Sequence, residues 1–106
     1  MSGRRSRDKG SRAERAVLAL LQQSAFAAEK VSGMYRPGED ISVPLLGVDR
    51  AVEVKCRATG FGRLYSWLEQ RDFLIVKSDR REFLVVLPLR TALEIARIAE
   101  CNKSEE

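Results

Sequence analysis

Histidine is absent from this 106-residue chain. Its absence removes the usual Ser/His and Cys/His nucleophile arrangements and most transition-metal sites. Cysteine is scarce: Cys56 and Cys101 are too few and too far apart for a disulfide framework or a zinc-ligand set. That usage fits a reducing, cytoplasmic compartment. No apolar run is long enough to cross a membrane, and no signal-peptide core follows the basic start. Carboxylates, lysine and a hard cation are left as the means for any enzymatic chemistry.

What is present is ordinary in amount and uneven in placement. Hydrophobic content of 44% and charged content of 32% are those of a globular protein, and the length suits one domain. A net charge of +4 points to an anionic partner, a weak signal on its own. The distribution says more. Arg4, Arg5, Arg7, Lys9, Arg12 and Arg15 crowd the start of the chain, opposed only by Asp8 and Glu14. A basic arm of this kind lies along a phosphate backbone or simply solubilises a disordered terminus. Residues 1–9 are expected to be such an arm, 10–100 a single domain, and 101–106 a frayed tail.

Ser11-Arg12-Ala13-Glu14 has capping-box spacing, so a helix is predicted to begin near Ser11. Ala13, Ala16, Val17, Leu20, Leu21 and Ala25 form its apolar stripe, with Glu14 at the edge. A short strand is predicted over 29–32. From Asp40 to Leu46 the chain alternates, with Ile41, Val43 and Leu45 on one face. Gly47 turns the chain into a second strand over 50–57. Thr59-Gly60-Phe61-Gly62 ends that strand, and Leu64, Trp67, Leu68 and Arg71 mark a short helix with Trp67 in the core. Residues 73–77 and 83–87 read as central or covered strands, apolar on both faces. After Pro88 a last helix carries Leu89, Ala92, Leu93, Ala96 and Ala99, opened by a Thr91-x-x-Glu94 box. The order α-β-β-β-α-β-β-α predicts an α/β fold: a mixed β-sheet flanked by helices.

Within the hairpin, Glu53 and Lys55 project to one side, about 7 Å apart along a strand, while Val52, Val54 and Cys56 face the other way. Cys56 reads as a small buried hydrophobe. A turn centred on Gly47-Val48 pairs Asp40 with Lys55; a shift of two residues pairs Asp40 with Glu53. Either register gathers Asp40, Glu53 and Lys55 on one face, and a one-residue slip scatters them. Two carboxylates converging from neighbouring strands suit Mg²⁺ or Mn²⁺, and the Val54 carbonyl offers a further oxygen. Lys55 beside a bound water suits phosphodiester hydrolysis. Glu-x-Lys alone is common on solvent-facing strands; the combination with Asp40 and a helix-borne Glu14 lifts it above that background.

Lys9-Gly10-Ser11-Arg12-Ala13-Glu14-Arg15, Gly38-Glu39-Asp40-Ile41 and Val52-Glu53-Val54-Lys55 resemble the PD-(D/E)xK nuclease superfamily. Within it they most resemble the archaeal-type Holliday-junction resolvases. The match runs from about Lys9 to Arg71. The resemblance implies a restriction-endonuclease-like sheet, Asp40 and Glu53 as metal ligands, Lys55 as the catalytic lysine, and Glu14 as an acid reaching the same site. It also implies Mg²⁺-dependent incision of branched or duplex DNA by a homodimer, with no nucleotide cofactor. The expected DNA contacts are Arg4, Arg5, Arg7, Lys9, Arg12, Arg57 and Arg63, with Tyr65 beside Arg63. The family's Pro-Asp is Glu39-Asp40 here, Ser32 is a candidate for the serine preceding it, and Gln70 matches an auxiliary position or is a surface residue. Glu14 has a second reading as the partner of a Ser11 cap, worth about 0.5–2 kcal/mol; its place beside the apolar stripe favours the catalytic one. Two other readings remain: a non-catalytic nucleic-acid-binding module of the same fold, and a generic or repair endonuclease of the superfamily.

Overall fold

The computed structural model describes residues 2–31 and 41–105. They are mixed α/β, with three helices and two small antiparallel sheets. The elements are α1 (Ser2–Gln23), β1 (Glu29–Lys30), β2 (Ile41–Leu45), β3 (Val48–Val52), α2 (Gly62–Leu68), β4 (Leu74–Val76), β5 (Leu84–Val86) and α3 (Leu89–Glu105). Two compact units result. The first comprises Met1–Cys56 and Ala96–Glu106, the second Arg57–Ile95. Among the described residues the strands form sheets β1-β2-β3 and β4-β5, in place of the one mixed sheet expected. No described helix is long and apolar enough to cross a membrane.

In the first unit α1 starts at Ser2, well before the predicted cap at Ser11, so the backbone over 2–9 is helical where a disordered arm was expected. Ser11 and Glu14 therefore lie inside the helix and form no cap. The stripe is narrower than its spacing suggested: Leu21 is buried and Ala13 and Val17 half-buried, but Ala16 and Leu20 are exposed. The helix ends in a Schellman turn. The Phe26 N–H donates to the Leu21 carbonyl at 3.0 Å and the Ala25 N–H to that of Gln22 at 3.1 Å, with Ala25 at φ 70°. Leu21 and Phe26, the apolar pair such a turn brings together, are both buried. The Gln22 side chain then donates to the Ala28 carbonyl at 3.1 Å and ties down the outgoing chain.

Strand β2 is central to its sheet. Lys30 and Glu29 of β1 pair with Ile41 and Ser42, and β3 pairs along its whole length, from Ile41↔Val52 to Leu45↔Val48. Its alternation is realised: Ile41 (0% exposed) and Val43 are buried and Leu45 is half-buried, with α1 packed against the strand. β1 stops opposite Ser42, so Pro44 lies where β2 is an edge on that side, and its missing N–H breaks no ladder there. The turn centres on Leu46-Gly47, both at positive φ (54° and 79°), as a type I′ hairpin requires. Its register is shifted by two residues from the one a Gly47-Val48 turn would impose. The Leu46 N–H is met by a carboxylate oxygen of Glu100 on α3. Strand β3 ends at Val52, so 53–57, expected to continue it, belongs to neither sheet. Cys56 is exposed, not a buried hydrophobe.

In the second unit α2 is a short helix whose N-terminal Phe61 supplies no side-chain cap. It stops at Leu68 because Gln70 turns left-handed (φ 59°), with the Arg71 N–H donating to the Leu68 carbonyl at 2.8 Å. Gln70 is thus past the helix and exposed. Trp67, expected in the core, is 53% exposed. Strands β4 and β5 pair antiparallel from Leu74↔Val86 to Val76↔Leu84. They are not the covered strands their apolar sequence suggested, since Ile75, Leu84 and Val85 are all exposed. Phe61, Leu64, Leu68, Val86 and Leu89 line an open apolar groove of about 430 Å³. α3 opens at Leu89 with the Ala92 N–H donating to the Pro88 carbonyl, ahead of the Thr91 box. It buries Leu93 and runs to Glu105, past Cys101 where fraying was expected.

Candidate active site

The first unit brings the start of β2 together with the middle of α1. Glu14 projects from the face of α1 that packs on the sheet, three residues before the half-buried Val17 and seven before the buried Leu21. Its side chain is 19% exposed and lines a small hollow with Arg15, Leu18, Lys30 and Ile41. The Lys30 ammonium lies 3.7 Å from the Glu14 carboxylate, a loose ion pair rather than a tight hydrogen bond. No sequence pattern pointed to Lys30. Its position follows from the pairing of β1 with Ile41, which no local spacing encodes.

Across the ladder from Ile41 stands Val52, the last residue of β3. The residue after it, Glu53, holds the Lys55 ammonium at 2.8 Å. The two side chains are about half exposed, whereas Val52 and Val54 are half-buried. The alternation read from Val52-Glu53-Val54-Lys55 is therefore kept although the strand itself has ended. Asp40, the residue before Ile41, lies outside the described residues, as does Ser32.

The proposed DNA contacts divide between the units. Arg4, Arg5, Arg7, Lys9 and Arg12 all fall within α1, with Lys9 half-buried and Arg12 exposed. Arg57, Arg63 and Tyr65 are exposed residues of the second unit.

Among the described residues no three His, Cys, Asp or Glu side chains stand close enough to hold a metal ion. The donor chemistry nonetheless suits a hard divalent cation. Glu14 and Glu53 offer carboxylate oxygens, Asp40 directly precedes β2 in sequence, and the chain has no imidazole. No family model, curated protein or solved structure matches the chain.

Proposed function

We propose that this protein is a metal-dependent DNA endonuclease of the PD-(D/E)xK type, with a restriction-endonuclease-like arrangement, that acts on branched DNA as a homodimer. The observation that supports this reading is the Ile41↔Val52 pair and its surroundings. In sequence Asp40 precedes Ile41 and Glu53 follows Val52, the ladder partner of Ile41. Lys55 is already bound to Glu53, and Glu14 lies beside Ile41.

In this reading the carboxylates of Asp40 and Glu53, with the Val54 carbonyl, would hold Mg²⁺ or Mn²⁺, and Glu14 would orient a water beside them. The bound cation supplies Lewis acidity toward a phosphoryl oxygen. The Lys55 ammonium orients the attacking water and stabilises the negative charge that grows on phosphate as water adds and the leaving oxygen departs. Lys55 must release Glu53 to do so. A half-exposed pair of this kind is bound by no more than about 1 kcal/mol, so the exchange is easy. Arg57, Arg63 and the cations of α1 track the phosphates.

The test is a cleavage panel in Mg²⁺ comparing four-way junctions, flaps, mismatches and linear duplex. The native chain is expected to cut the junction best. Asp40→Asn and Glu53→Gln are expected to abolish product while leaving junction binding within about twofold, since each removes a ligand and no phosphate contact. Persistent cutting by either purified variant would show that the site is misassigned. Preferential cutting of flaps or mismatches would place the protein among repair endonucleases of the same superfamily.

A second reading, a non-catalytic nucleic-acid-binding module, draws on the closed Glu53–Lys55 pair. It predicts salt-sensitive binding with no product at any Mg²⁺ concentration.

A further inference from the structure

Residues 2–12 of α1 are helical without an internal reason to be. Before Ala13 the helix holds no apolar residue, two glycines, and five cations (Arg4, Arg5, Arg7, Lys9 and Arg12) against the single acid Asp8. Its first turn contains no acid, the opposite of what a helix dipole favours. The packed part of α1 lies further on, where Glu14 and Leu18 stand against Ile41 and Leu21 is buried. Among the described residues Lys9, Arg12 and Arg15 make no ion pair. A glycine-containing, like-charged extension with no apolar side chain to pack is marginal as a helix in water.

Helical geometry nevertheless organises these charges. Arg5, Lys9 and Arg12 recur at i, i+4 and i+7, while Arg4 and Arg15 stand three turns apart. These five positions share one side of the helix over about 15 Å of its axis. Arg12 is exposed on that side, away from the face that carries Glu14, Val17 and Leu21 inward, while Arg15, also exposed, borders the hollow that holds Glu14.

We infer that residues 2–12 are a docking element for the phosphate backbone of duplex DNA, and that their helix forms together with the complex. This rests on the nucleic-acid partner proposed above and not on cleavage. Phosphates relieve the like-charge repulsion along the stripe, and released counterions supply the driving force that the missing apolar face does not. The helix described here is then the conformation of the bound segment, and the free chain populates it only in part. An α-helix fits a major groove about 12 Å wide, so the stripe can meet both bordering backbones.

The test is far-ultraviolet circular dichroism of the full chain titrated with a short duplex of arbitrary sequence in EDTA, where nothing is cut. The DNA's own signal is subtracted. Helicity is expected to rise by part of the equivalent of residues 2–12, the share that is not helical in the free chain. Gly10→Ala is the informative variant, because a Cβ there meets nothing within 4 Å. It should raise the helicity of the free chain, shrink the gain on binding, and tighten binding about three- to fivefold through helix propensity alone. Replacing Arg5 and Arg12 together by Ala should lower the slope of log K against log salt by about 2. DNA binding with no gain in helicity, or with Gly10→Ala binding no tighter, overturns the inference and leaves the nucleic-acid reading standing. Absence of any DNA binding by the native chain overturns both.

Discussion

Strands β2 and β5 are both rich in β-branched and apolar residues, yet one is enclosed and the other open. β2 has a strand on each side and a helix across one face, and Ile41 and Val43 disappear from solvent. β5 has a single neighbour, and Leu84 and Val85 keep more than half their surface exposed. The residue types are nearly the same, so composition is not what distinguishes them. The alternation of β2 announces one buried and one wet face, whereas the continuous apolar run of β5 announces two buried faces and finds neither. A pattern states a requirement; only the neighbouring elements show how it is met.

Paired substitutions probe that contrast at its widest. Ile41→Ala empties a fully enclosed position and should cost about 3 kcal/mol in urea denaturation, whereas Ile75→Ala, at 52% exposure, should cost under about 1 kcal/mol. Equal losses would mean that the second unit's apolar residues are covered in solution, as a homodimer would cover them. A smaller effect of opposite sign tests the first unit's backbone. Ala25 holds the left-handed position of the Schellman turn, where a Cβ is unfavourable, so Ala25→Gly should stabilise by about 0.5–1 kcal/mol. The smallest effect sharpens the distinction between packing and chemistry. Lys55→Met should change stability by no more than about 0.5 kcal/mol, since its ion pair is half exposed, and should still remove cleavage. A large loss of stability would make Lys55 a structural residue.

Local rules carried the reading furthest where one rule acted alone. Ile41, Val43 and Leu45 followed the period of two, and Gly47 fell in the turn. The rules failed where two competed. Ser11-x-x-Glu14 has cap spacing, but the described helix already runs through it from Ser2, so no cap forms there. Gly47 was placed first in its turn because one hairpin class wants glycine there. The structure uses the other hairpin class, type I′, with Leu46 accepting positive φ and Gly47 second, and the Leu46 amide is held by Glu100 from a distant helix. Of the candidate site, the shared side of Glu53 and Lys55 was legible because alternation outlasts the strand by a few residues. The inward-edge position of Glu14 was legible from its distance to Val17 and Leu21. Lys30 was not, because the pair it makes with Glu14 joins two elements whose register is a tertiary fact. Cys56 and Trp67 were misplaced for one reason: hydrophobic character predicts burial only where something lies opposite to provide it.

The distribution of three side chains has a practical corollary. The chain's one tryptophan, Trp67, lies in the second unit, and its two cysteines, Cys56 and Cys101, both lie exposed in the first. Indole fluorescence therefore speaks for residues 57–95 alone, while dyes attached to the thiols speak for the remainder, without a single substitution. The native protein carries a separate optical reporter for each of its halves. Whether they melt together or in succession can be read by watching two colours in one cuvette.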